Sequence, residues 1–193
     1  MNWTRLGRDA DHPAGIARYL VRDNVLYVFC DGTRNRREWR ENFQTRKVWA
    51  GYRVARVNRK DFEQAKDVWY ELTRAGVRVR DFDRVVVGGY SRGYAIALCF
   101  AWFIAHPTYR KAIVHGWAGK RVGNRAFHKR LNQLGVVHVN MSCRWDIVPW
   151  LPPHYARGPQ SWLYGFRFNP IRAHVASGKV AAMWRHLQTK EEL

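Results

Sequence analysis

Carboxylates are scarce in this chain. Its 193 residues hold 15 Asp and Glu against 34 Lys and Arg, a formal charge of +19. From Arg84 to Lys190 the single acidic side chain is Asp146. Cysteine is scarcer still: Cys30, Cys99 and Cys143 are far apart, odd in number and set in or beside apolar stretches. That excludes a thiolate metal centre and predicts reduced, mostly buried thiols. Long apolar runs are missing. The longest, Ala95–Ala105, is too short to cross a bilayer, and the opening MNWTRLGRDADHP is too polar for a signal peptide, so a cytoplasmic location is expected. There is no internal repeat, low-complexity linker, nucleotide loop, metal-type spacing or nucleic-acid-binding signature, and no cofactor is expected.

What is present fits a folded domain. Hydrophobic residues make up 47% of the chain, with 10 Trp, 9 Tyr and 9 Phe, which argues against disorder. The length supports one core, hence a single domain over residues 1–193. The basic surface should attract anionic partners: phosphate head groups, nucleic acid or acidic polymers.

Apolar strands alternate with helices. Val25–Cys30 is a run of β-formers closed by Asp31-Gly32, and Arg84–Val87 a second run entering Gly88-Gly89; Ala112–Trp117 and Val136–Met141 are two more. Asp61–Ala75 starts on Asp, precedes Gly76 and spaces Phe62, Ala65, Val68, Trp69 and Leu72 as a helix does. Tyr94–Ala105 reads as a helix apolar nearly all round, Asn124–Leu134 as helical, and Gly178–Gln188 as the last helix. Continuous apolar strands separated by helices imply a mostly parallel central sheet with helices on both faces.

Gly89-Tyr90-Ser91-Arg92-Gly93 is a G-x-S-x-G pentapeptide between an apolar strand and an apolar helix. A serine on such a sharp turn sits in a strained conformation, so the residues two away must be nearly free of side chain. The following helix aims its N-terminal N–H groups at the same spot, where they stabilise an oxyanion. The order expected in this α/β-hydrolase arrangement is nucleophile, acid, histidine. Asp146 is then the acid, with Glu191 and Glu192 at the chain end as the only others. Three histidines follow Asp146: His154 in a proline-rich loop, His174 in the loop-like Asn169–Gly178, and His186 in the last helix. A loop that reaches back to the nucleophile favours His174, and the other two stay open. His106, His115, His128 and His138 precede the acid and read as structural.

Taken together, these blocks resemble the class 3 lipases, the fungal-lipase-like branch of the α/β-hydrolases. The likeness rests on VLYVFCDGTRNRREWRENF (Val25–Phe43), Gly51-Tyr52, GGYSRGYAIAL, GKRVGNRAF (Gly119–Phe127) and DIVPWLPP (Asp146–Pro153), in that order. The resemblance implies a reduced α/β-hydrolase fold and a serine esterase or lipase with Ser91 as nucleophile, Asp146 orienting the base and His174 as base. It also implies an oxyanion hole from Thr33, through backbone and hydroxyl, and the backbone N–H of Arg92. Departures are Asp31, where the family usually has Arg, and Tyr94, in place of a small residue, which predicts a looser approach of the helix to its neighbours. A short stretch from acid to histidine leaves less room for an acyl chain. Arg34–Phe43 falls where such lipases carry a lid; as a helix it would set Trp39 and Phe43 one turn apart among arginines, suited to an anionic membrane surface. The expected substrate is an ester or lipid. Nucleic-acid binding by a non-catalytic protein of the same fold is the charge-based alternative.

Overall fold

A computed structural model describes residues 2–7, 16–33, 46–51, 54–108, 111–163 and 169–189. The lid segment, Tyr52, Glu191 and Glu192 lie outside them. A seven-stranded sheet runs in the order β1 (Thr4–Leu6), β2 (Ala17–Arg22), β3 (Val25–Cys30), β6 (Arg84–Tyr90), β7 (Ala112–Trp117), β8 (Val137–Cys143) and β9 (Gln160–Leu163). The strands from β3 to β9 are parallel, and β1 and β2 add an antiparallel edge. β4 (Lys47–Trp49) and β5 (Arg56–Asn58) form a separate antiparallel pair.

The antiparallel edge arises from a tight hairpin. Asp23 and Asn24 both have positive φ, 49° and 57°, as the two central residues of a twist-matched turn require, and Asp and Asn tolerate that region. Patterning alone does not reveal β1, β2 and β9, because β1 and β9 are short and β2 is interrupted by arginines.

Helices α1 (Arg59–Arg74), α2 (Arg92–Thr108) and α3 (Arg125–Gln133) precede β6, β7 and β8 in turn. Right-handed crossovers that advance in one direction put their helices on one face. The core on that side joins Leu26, Val28 and Cys30 of β3 to Val68 and Leu72 of α1 and to α2. The intervening Phe29 points the other way, where Trp117, Ala181 and Trp184 pack with it under α4 (Pro170–Leu187). Period-two alternation thus gives the sheet two covered faces. β6 continues through Gly88 and Gly89 beyond the apolar run, because neighbours fill the space a side chain would take: a Cβ on Gly88 would lie 2.8 Å from both Phe29 and Trp184.

Two expectations are corrected here. The last helix begins at Pro170, not Gly178: Asn169 caps it by accepting from the Ile171 and Arg172 N–H groups, with Pro at the first position. Gly178 lies inside the helix, where the Tyr90 ring occupies its missing Cβ position. Nor does Tyr94 hold α2 off, since a Cβ on either Gly116 or Gly119 would collide with its ring. The bulk missing from those two glycines is what admits the tyrosine. Among the described residues no helix is long and apolar enough to cross a membrane.

Candidate active site

Ligand sites in open parallel sheets form beyond the carboxyl ends of the strands, and the chemically useful residues converge there. Thr33 follows β3, Ser91 follows β6 and Asp146 follows β8. Ser91 is buried, with φ +56°. Its N–H donates to the Trp117 carbonyl at 2.8 Å, which holds the turn to β7. A Cβ on Gly89 would collide with the Gly93 backbone, and one on Gly93 with the Cys30 carbonyl. Both glycines are therefore obligatory for the turn.

His174 is carried by the first turns of α4 rather than by a loop. Its Nε2 lies 3.1 Å from Ser91 Oγ, and its Nδ1 lies 2.9 and 3.1 Å from the two Asp146 oxygens. Asp146 is enclosed and also accepts from the Val148 N–H at 2.9 Å. The three side chains make one hydrogen-bonded chain. His154 instead packs on Tyr155, and His186 is exposed near the end of α4. Of the earlier histidines, His138 meets the Tyr94 hydroxyl at 3.3 Å, His115 packs against Trp117 and Trp184, and His106 stacks on Trp102.

Thr33 and Ser91 share a cavity of about 300 Å³ with Ile147, Val148, Ile171 and Val175. The chain after β3 passes so near Ser91 that a Cβ on Gly32 would lie 2.8 Å from the Tyr90 carbonyl oxygen. Arg92 begins α2, so its N–H lies in the opening turn of the helix, directly after Ser91. Its side chain turns inward to Asp61.

Several supporting residues escaped sequence reasoning. Tyr90 stacks on the His174 ring, centroids 4.9 Å apart, and donates its hydroxyl to the His174 carbonyl at 3.1 Å. Burial, with Asp146 nearby, pushes its phenol well above the ordinary tyrosine range. Ser177 accepts from the Cys143 N–H at 3.2 Å, tying α4 to the end of β8. Arg121 donates to the carbonyls of Pro149, Pro153 and Tyr155 at 3.3, 2.9 and 3.1 Å and so fixes the loop after Asp146. Asp31 pairs with Arg18 at 3.4 Å and Arg185 at 3.8 Å, joining β2 and α4 to the Thr33 loop. The segments GKRVGNRAF and DIVPWLPP, distant in sequence, are thus one structural unit. Spacing could not reveal such contacts, since each partner lies on another strand or helix.

The fold recurs in solved lipases. The lipase of Rhizopus microsporus var. chinensis superposes with a TM-score of 0.60 at 22% identity, over 76% of this chain and 56% of its own. The triacylglyceride lipase of Rhizomucor miehei gives 0.64 at 21%, over 76% and 60%. A triacylglycerol lipase whose catalytic centre is a serine protease triad gives 0.55 at 20%, over 76% and 60%. The chain therefore spans less than two thirds of the length of these lipases and shares their α/β-hydrolase fold in reduced form. No curated protein matches it in sequence. The family model for class 3 lipases matches residues 27–156, and the chain belongs to that family.

Proposed function

We propose that the protein is a serine hydrolase that cleaves carboxylic esters through an acyl-enzyme. The observation that carries this reading is the Asp146–His174–Ser91 hydrogen-bonded chain beside an apolar cavity. His174 Nε2 takes the Ser91 proton as Oγ attacks the ester carbonyl, and Asp146 holds the ring by Nδ1 and stabilises the imidazolium. The oxyanion forms at the N-terminus of α2, with the Arg92 N–H and Thr33 as donors. Collapse expels the alcohol, which takes the proton from Nε2. Water then attacks the acyl-Ser91 ester with His174 again as base, and Ser91 leaves with its proton restored.

The surroundings favour a lipid-like ester. Ile147, Ile171 and Val175 line the cavity and yet are 54, 75 and 51% exposed, an apolar rim at the mouth of the site. Trp145, Trp150 and Trp162 are exposed as well, and the Arg157 guanidinium lies 4.1 and 5.2 Å from the Trp150 and Trp162 rings. Interfacial tryptophans beside cations suit an anionic lipid surface.

Labelling with a fluorophosphonate probe tests the chemistry. The native protein is expected to label, and Ser91→Ala and His174→Ala to lose labelling. A folded native protein that does not label refutes the reading. Ser91→Ala should still bind vesicles rich in phosphatidylglycerol over phosphatidylcholine, with binding weakened by salt.

A further inference from the structure

Behind the nucleophile lies a buried ion cluster that the reaction above does not use. Asp61 is fully enclosed, and Arg92 and Lys120 are 4 and 5% exposed. Arg92 Nε donates to Asp61 Oδ1 at 3.2 Å. Lys120 Nζ lies 2.9 Å from Oδ2, an ionic contact more than a well-directed hydrogen bond. One carboxylate thus holds two cations out of water. Burying three charges is costly and adds little stability compared with apolar packing. Its worth must therefore be sought in what it places.

Both cations belong to residues whose backbones meet the elbow. Arg92 follows Ser91 directly, and the Lys120 N–H donates to the Ser91 carbonyl at 3.4 Å. The third partner comes from a different element, the first turn of α1. Aspartate there commonly serves the helix end, but Asn58 already caps α1 by accepting from the Asp61 N–H at 3.3 Å. Asn58 in turn donates its own N–H to the Val122 carbonyl at 2.9 Å. The Asp61 carboxylate is left to face inward.

We propose that Asp61 is a positioning residue for the oxyanion hole: by clamping Arg92 and Lys120 together it fixes the Arg92 backbone N–H and the Ser91 carbonyl against a turn under strain. The inference rests on the ester-hydrolase reading for its catalytic consequence and on the ion cluster for its structural one. A positive φ at Ser91 is held only if the surroundings over-determine it. The cluster supplies that constraint from behind, where side chains of α1, α2 and the loop after β7 meet. A donor displaced by a fraction of an ångström stabilises the oxyanion poorly while substrate still binds.

The test is Asp61→Asn, compared with the native protein well below the variant's melting point. Amide hydrogen exchange and turnover of a soluble p-nitrophenyl ester are measured together. Exchange at the Ser91 and Lys120 amides should quicken while the β3 and β7 amides keep native protection. The kcat should fall roughly tenfold or more at near-native KM. Native kcat in the folded variant overturns the proposal, as does acceleration spread evenly over the sheet, which marks a merely structural role. If the native protein turns over no ester, the hydrolase reading falls, and exchange at Ser91 and Lys120 alone decides whether Asp61 holds the elbow. Should Asp61→Asn not fold, Lys120→Met and Arg92→Lys, each leaving one original cation on Asp61, carry the same two measurements. Native values in both then overturn the proposal.

Discussion

Tyr90 lines the cavity beside Ser91 and also holds the histidine that faces it. Its ring stacks on His174, its hydroxyl donates to the His174 carbonyl, and its face fills the space beside Gly178. Tyr90→Phe keeps the stack and loses one hydrogen bond, worth about 1 kcal/mol. Its kcat on a soluble ester should drop a few-fold at unchanged KM, whereas Tyr90→Ala, which frees the ring, should lose far more. Equal activity in both variants would show that His174 is set by Asp146 alone. His128 and His138 make a different point. Burial depresses both from 6.5 to about 4, and their mutual repulsion adds to the effect at His128. Lys120, Arg121 and Arg157 line the cavity beside His128 and give a second proton no relief. Folded-state values below the unfolded 6.5 mean that the unfolded chain binds more protons from pH 6.5 down to 4. Stability is then complete above pH 6.5 and falls as pH drops through that window, by on the order of a few kcal/mol. The melting temperature should decline from pH 6.5 to 4.5, and His128→Gln/His138→Gln should flatten the decline. An equally steep slope in the double variant would assign acid lability to other groups.

At the scale of one element, α4 reconciles helix propensity with packing. Its buried positions Ala173, Ser177 and Ala181 form a small-residue stripe against the sheet, and Gly178 sits within the helix where Tyr90 lies. By propensity alone, Gly178→Ala should stabilise the helix by about 1 kcal/mol. A Cβ there would lie 2.8 Å from Tyr90 Cζ, and overpacking of this kind costs about 1–3 kcal/mol. Packing wins, so the variant should melt lower and label more slowly at Ser91, because Tyr90 and His174 shift together. A higher melting temperature with native labelling would mean that the ring yields freely. The N-terminus of α4 sets His174 as well. Asn169→Ala removes the cap at a cost of about 1 kcal/mol, and it should slow labelling more than a cap lost elsewhere at equal stability.

At the scale of the molecule, charge is distributed unevenly along the chain. All acidic side chains except Asp146 lie before Arg84 or after Lys190, and Asp146 is buried under His174. The segment that carries Ser91, Asp146 and His174 thus adds no exposed carboxylate to the surface. A net charge of +19 repels itself, and salt screens that repulsion. Raising the ionic strength from about 20 to about 150 mM should therefore raise the melting temperature by a few degrees while weakening attachment to anionic vesicles. A melting temperature indifferent to salt would mean that the excess cations are spaced too widely for their repulsion to weigh on stability.

The sequence by itself determined the parallel strands β3, β6, β7 and β8, the helices between them and the strand–Ser–helix turn, because these depend on local periodicity and on glycines two residues either side of Ser91. It also left Asp146 as nearly the sole downstream acid, since composition alone removes the competitors. Tertiary structure decided the rest. Of three downstream histidines the sequence favours His174 and leaves two open; α4 brings His174 within 3.1 Å of Ser91, and its helical start depended on a cap that reads from sequence as part of a loop. Tyr94, a misfit by sequence, fits because Gly116 and Gly119, 22 and 25 residues later, leave it room. Asp61 reads as a helix-start signal until the fold turns its carboxylate toward Arg92 and Lys120. Local signals report what a residue does to its own backbone. What it does to a side chain on another strand depends on contacts that exist only once the sheet has closed.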